Sequence, residues 1–251
     1  MRNVIKAEFI KERRGANVKL VLIVPFIFVF FNVLMGMLMG PSPEGKSYLM
    51  ATSFNWYPIM VLPVVLSLLV VNSNNKEKDK HLVFQKSMGL SGAKIILAKN
   101  IVILLELLVM LVMSSMAIFV FGSLILREPI VAEVLVAATV VMFVGSLPVI
   151  GLSFLVSRFC KKSFFIIIMN FVLTLPSAII AVTDKWPFFP WSYNLRMLAP
   201  IVGVNPNGTF LELSSPLWDL TPVYLGLLLS ILVYILSLVG LIAVDRWKKN
   251  D

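Results

Sequence analysis

The 251 residues are 59% hydrophobic and only 14% charged, with a mean hydropathy of +0.94, whereas about a quarter of a soluble domain is charged. Such a chain cannot hide its apolar surface by folding on itself, so composition excludes a soluble globular enzyme and makes lipid the solvent. The formal charge of +9 would suggest nucleic acid in a soluble protein, but its distribution along the chain assigns it to membrane orientation, and no nucleic acid is expected.

The arm 1–17 interleaves charged residues with Val4, Ile5, Phe9 and Ile10, a spacing that predicts an amphipathic helix with Ile5 and Phe9 on one face. At an inner membrane surface its basic residues would meet anionic lipid, or serve only as a topology signal. The first apolar run, 20–39, is longer than a signal-peptide core and no small-residue cleavage site follows it, so it is expected to stay as an anchor. Asn32 lies within it, and Gly36 to Gly40 matches a small-residue packing pattern.

A helix needs roughly 20 residues to cross the hydrocarbon. Five further stretches are read as spans, at 56–71, 101–126, 134–157, 163–183 and 220–244, which makes one all-α, polytopic transmembrane domain. Pro25, Pro58, Pro63, Pro148 and Pro176 are tolerable in spans whose freed carbonyls find other partners. Glu106 is the ionisable residue inside a span, a functional candidate because an intramembrane charge is costly, or else a group reaching toward the interface near Lys99. Asn32 and Asn170 are mid-span groups suited to hydrogen bonds between helices.

Between the second and third spans, 72–100 has a charged start, a short helix-capable segment from His81 to Met88 and a Gly-Leu-Ser-Gly break, which suit it to docking a protein partner. Gly89 to Lys94 lacks the spacing and the preceding strand of a phosphate loop, so nucleotide must be handled by another subunit. Cys160 stands alone, which excludes an internal disulfide and a cysteine metal cluster, and reads as a reduced thiol without a chemical role. The connection 184–221 carries Trp186, Phe188, Phe189, Trp191, Tyr193, Phe210 and Trp218, and is expected to hug the outer membrane surface. Its Asn205-Pro206-Asn207-Gly208 is a turn sequence.

Of the 22 Lys and Arg residues, 18 fall on the arm, the second and fourth connections and the tail, and 4 (Lys46, Arg127, Lys185, Arg196) on the other side. The positive-inside rule places both termini in the cytoplasm of a multi-pass cell-membrane protein. A lone His81 and a lone buried Glu106 supply no metal triad or acid–base pair, so no catalytic, cofactor or metal residue is assigned.

An amphipathic arm, six spans, a structured first cytoplasmic connection and a membrane-hugging segment before the last span together resemble the membrane subunits of type-2 ABC exporters over nearly the whole chain. The resemblance implies that 72–100 holds a coupling helix for a cytoplasmic ATPase dimer, which would bind the ATP and magnesium. Glu77, Lys78, His81, Leu82, Gln85, Ser87, Gly89, Leu90, Ser91, Lys94 and Lys99 match that region, with Met88-Gly89-Leu90 replacing the usual proline turn. Phe189-Pro190-Trp191-Ser192-Tyr193, then Arg196, Pro200 and Gly203 to Gly208, resemble the lantibiotic-immunity permeases of Gram-positive bacteria. That implies a second permease subunit and a cationic antimicrobial peptide as substrate, with Trp186, Pro190, Trp191, Tyr193, Arg196, Asn207 and Gly208 as expected peptide contacts. The rival readings are a type-2 exporter of a drug or polymer precursor and a non-transporting membrane sensor or scaffold.

Overall fold

The computed structural model describes residues 1–13, 15–76, 91–160 and 162–247. Among these the protein is all-α, with only an isolated bridge between Val204 and Phe210, and six helices are long and apolar enough to cross a membrane. The arm is α1 (Arg2–Glu12). The six long helices are α2 (Ala16–Met39), α3 (Tyr48–Asn75), α4 (Gly92–Leu126), α5 (Ala132–Phe159), α6 (Ser163–Ile180) and α8 (Thr221–Trp247). Between the last two lies a shorter helix, α7 (Tyr193–Val202).

Helix α3 begins eight residues before its predicted start at residue 56. Ser47 caps it by accepting from the Met50 N–H (3.0 Å), which satisfies a donor that the first turn leaves open. Thr52 donates back to the Tyr48 carbonyl (2.9 Å), so a residue that depresses the hydropathy of this turn is satisfied by its own helix. At Tyr57–Val61 the helix widens to a π turn, because Pro63 has no N–H for the Ile59 carbonyl and its ring would crowd that oxygen in a regular helix. Helix α4 starts nine residues before the predicted 101, which puts Lys94 and Lys99 on its first turns. Helix α6 breaks at Leu175–Pro176 for the same proline reason.

In α3 and α5, 67% of the most apolar stretch is buried, against 17% in α8, so the first two form the centre and α8 the periphery. The second half of α5 lies along α8, α2 along α4, the second half of α3 along α6, and α7 against α5, α8 and α3. Close approach of α5 to α8 rests on Gly151, where an added Cβ would lie 2.9 Å from that of Ser237, as expected where helices associate through small residues. Leu22, Phe26 and Phe30 of α2, Phe164 and Ile179 of α6, and Leu228 and Leu236 of α8 point outward, where lipid is their solvent.

Candidate functional site

At the end holding most of the basic residues, α1 packs on α4. Glu8 and Glu12 are buried, while Phe9 and Ile10 are exposed. Lipid can cover a phenyl ring, but a buried carboxylate needs a cation. Lys11 pairs with Glu8 (2.5 Å) and Lys76, just beyond α3, pairs with Glu12. Gly15 allows this, because the Lys76 ammonium fills the space that a Cβ would take. One layer deeper, the fully buried Asn17 donates to Glu106 Oε2 (3.0 Å) and to the Leu69 carbonyl (3.1 Å). Glu106 is therefore hydrogen-bonded to the base of α2 at the level of α3's last turns.

The other flank of the same connection is also held. Arg158 pairs with Asp245 (2.8 Å), and the Asp245 carboxylate presses on Gly92 where a Cβ would stand. Between the two, Lys99 donates to Asn74 Oδ1 (3.4 Å) and Asn74 to Ser157 Oγ (2.9 Å), which ties α4, α3 and α5 together. Ser91 caps α4 and Lys94 is exposed on its first turn. The remaining residues assigned to ATPase docking, Glu77, Lys78, His81, Leu82, Gln85, Ser87, Gly89 and Leu90, lie outside the described residues.

Inside the bundle the two asparagines differ. Asn32 donates to the Phe28 carbonyl of its own helix (2.8 Å), so the hydrogen bond expected between helices is made within one. Asn170, fully buried on α6, donates to Ser67 Oγ of α3 and Ser153 Oγ of α5 (both 2.8 Å). Its carbonyl oxygen accepts from the indole N–H of Trp191 (3.1 Å).

The first part of the connection expected to lie on the membrane surface packs on the helices as a cap. Trp186 and Tyr193 are buried and meet edge to face with ring centroids 5.8 Å apart, and the Tyr193 hydroxyl donates to the Pro187 carbonyl (2.6 Å). These two expected peptide contacts, together with Trp191, hold the cap together; once three turns follow the span, their rings gain more from the core than from the interface. Pro190 opens the turn that carries Trp191. Arg196 is half-buried; burial pushes its guanidinium down from its ordinary value while the charges of Asp219 and Asp184 oppose that shift. Hydrogen bonds from the Thr221 N–H and hydroxyl hold Asp219 below the usual carboxylate range.

Past α7, Gly203 takes the left-handed conformation (φ 71°) that ends the helix, with the Trp218 ring where a Cβ would lie. A short hairpin, 204–210, follows. Asn207 Oδ1 closes it by accepting from the Thr209 N–H (3.1 Å), and Gly208 turns at φ 93°. Asn55 of α3 donates to the carbonyls of Asn205 (3.2 Å) and Pro206 (2.9 Å), so the hairpin is fastened to a span. This end also contains a cavity of about 840 Å³, walled by 45–50, 129–134 and 201–218.

Glu128 escaped the sequence reading. Arg127 adopts the left-handed region (φ 55°) and turns the next residue inward, where its carboxylate accepts from Ser47 Oγ (2.5 Å) and from the Leu49 N–H (3.0 Å) at the start of α3. A carboxylate at a helix N-terminus is favoured by both hydrogen bonding and the helix dipole. Glu128→Ala should lower the stability of the detergent-solubilised protein by about 1–3 kcal/mol, since Ser47 and a backbone N–H lose a charged acceptor. An unchanged thermal midpoint would refute this role.

Among known proteins, the model of one family, described as ABC-2 family transporter protein, matches residues 4–177. No curated protein and no solved structure matches the chain.

Proposed function

Since the chain belongs to the ABC-2 family of transporter proteins, we propose that it is the membrane permease of an exporter that clears a cationic antimicrobial peptide of the lantibiotic type from the cell membrane of a Gram-positive bacterium. As a member of that family it is a transport subunit, and ATP hydrolysis falls to a separate ABC ATPase. The 18-to-4 distribution of basic residues puts both termini in the cytoplasm in this reading. The ATPase dimer then docks on 72–100, and a second permease subunit completes the transmembrane unit.

One observation carries the choice of substrate. Opposite the strongly basic end, the other end holds six carboxylates (Glu44, Glu128, Glu133, Asp184, Glu212, Asp219) against four basic residues. An acidic mouth ringed by aromatic side chains attracts a cationic amphiphile and repels an anionic polymer precursor. The compact cap from Phe189 to Gly208 adds support, because it is the segment resembling the immunity permeases.

Expressed in a peptide-sensitive Gram-positive host with its ATPase and second permease, the protein should raise the lantibiotic dose that stops growth several-fold. Deletion of 81–88 should abolish that protection while leaving membrane insertion intact. Unaltered sensitivity across a lantibiotic panel, with the complex assembled and hydrolysing ATP, would transfer the reading to another substrate class.

A further inference from the structure

The three connections at the acidic end do not fill the space between them. The half-open cavity between them, about 840 Å³, lies in the upper part of the roughly 300–1,000 Å³ range of ligand sites. Its wall is mostly apolar, including Met50, Ile201, Phe210 and Trp218, with Lys46 and Glu212 as its charged members. We propose that this cavity is a binding site for the apolar side chains of a cationic amphipathic peptide, whose ammonium groups are held by the carboxylates around its mouth. The proposal rests on the export reading above and locates its substrate within one subunit.

Charge selects the occupant. The connections that form the cavity, 40–47, 127–134 and 203–220, carry the exposed carboxylates Glu44, Glu133, Glu212 and Asp219 against only Lys46 and Arg127. Of those two cations, Lys46 already lies over the Phe210 ring, 4.8 Å from its centroid, which shows that the wall accepts an ammonium on an aromatic face. The Phe210 ring is already taken by Lys46 and Tyr48, so an arriving lysine side chain would be held by the exposed carboxylates. An anionic lipid headgroup would find repulsion.

The cavity is also held open. Glu128 staples the first connection to the second through Ser47 and Leu49. The Trp218 indole donates to the Glu212 carbonyl (2.9 Å) and covers Gly203. Leu213 and Trp218 are exposed beside it, at an end rich in the aromatic residues that favour the membrane interface. An amphipathic peptide partitions to that same depth, so it meets this opening before any site deeper in the bundle.

The lone Cys160 lies at the far end of α5 and provides a clean test. In the Cys160→Ser background, Val134→Cys places one thiol in the wall, and the protein in lipid nanodiscs is labelled with a charged thiol reagent. A dansylated Lys-Leu amphipathic peptide should slow labelling about tenfold, whereas its twin with glutamine for lysine should slow it less than about twofold. Met50→Trp, which fills the cavity, should weaken binding of the dansylated peptide about tenfold, while Leu38→Trp on the lipid face leaves it within about twofold. Labelling unaffected by the cationic peptide would overturn the proposal. Equal protection by the glutamine twin would also overturn it, since charge would then not select the occupant. If cellular resistance survives Met50→Trp, the site is refuted and the export reading stands. If the nanodisc protein binds the peptide but confers no resistance, the site stands and the export reading falls.

Discussion

Asn170→Leu is expected to be among the most damaging single substitutions in the membrane region. It removes three hydrogen bonds that join α6 to Ser67 of α3, Ser153 of α5 and Trp191 of the cap. Hydrogen bonds between helices in membrane proteins average about 0.6 kcal/mol, but here a fully buried side chain is replaced by a branched one and the indole N–H loses its acceptor. A loss of about 2–3 kcal/mol follows, with the unpaired donor contributing most of the excess over the mean. For a chain of this length each kcal/mol moves the midpoint roughly 2–4 °C, so the purified protein should melt roughly 4–12 °C lower. Trp191→Phe, which keeps a six-membered aromatic ring but removes the N–H and part of the indole, should cost about 1 kcal/mol more alone than in the Asn170→Leu background, where its hydrogen-bond partner is already gone. Full additivity of the two would show that they do not share a bond in the membrane.

This pair marks where sequence reasoning stopped. The six spans were legible because uncharged runs of helix length have one inexpensive solution in lipid, and the single Glu106 stood out for the same reason. Which face of each helix meets which neighbour was not legible. In a soluble protein an apolar stripe identifies the buried face, but α2 and α8 are apolar on every side, and outward Phe26 or Leu228 looks no different from inward Phe28 or Leu241. The polar contacts that set the packing join residues far apart in sequence: Asn17 with Glu106, Glu12 with Lys76, Ser47 with Glu128.

Aromatic residues in 184–221 likewise pointed to an interface, and some of them do lie outward. Phe188 is 88% exposed whereas Tyr193 is 1% exposed. What separates them is hydrogen bonding to particular carbonyls within the cap, which composition does not encode. The arm shows the same limit from the other side. Its apolar spacing puts Ile5 and Phe9 on one face, but nothing in it shows that Glu8 and Glu12 are buried and paired with lysines.

That pairing carries the second large prediction. Glu12→Lys sets an ammonium against Lys76 in a site that buries the residue at 12, and breaking a buried ion pair from one side costs about 3–5 kcal/mol. Separation of the arm from the end of α3 should relieve the clash, and the described flank of the connection proposed to dock the ATPase then loses its anchor to α1. A transporter can pass ATPase closure to its spans only through contacts that differ between its two states. Substrate-stimulated ATP turnover of the assembled complex should therefore fall about tenfold or more, the loss corresponding to at least about 1.4 kcal/mol of coupling, while basal turnover by the ATPase persists. The swap Glu12→Lys with Lys76→Glu restores the attraction. It also gives α1 a cation at its C-terminus and takes one from α3, so the two helix-dipole contributions offset each other, and most of the stimulation should return. Stimulation that survives Glu12→Lys alone would mean that force reaches the spans by the Gly92–Asp245 flank without the arm.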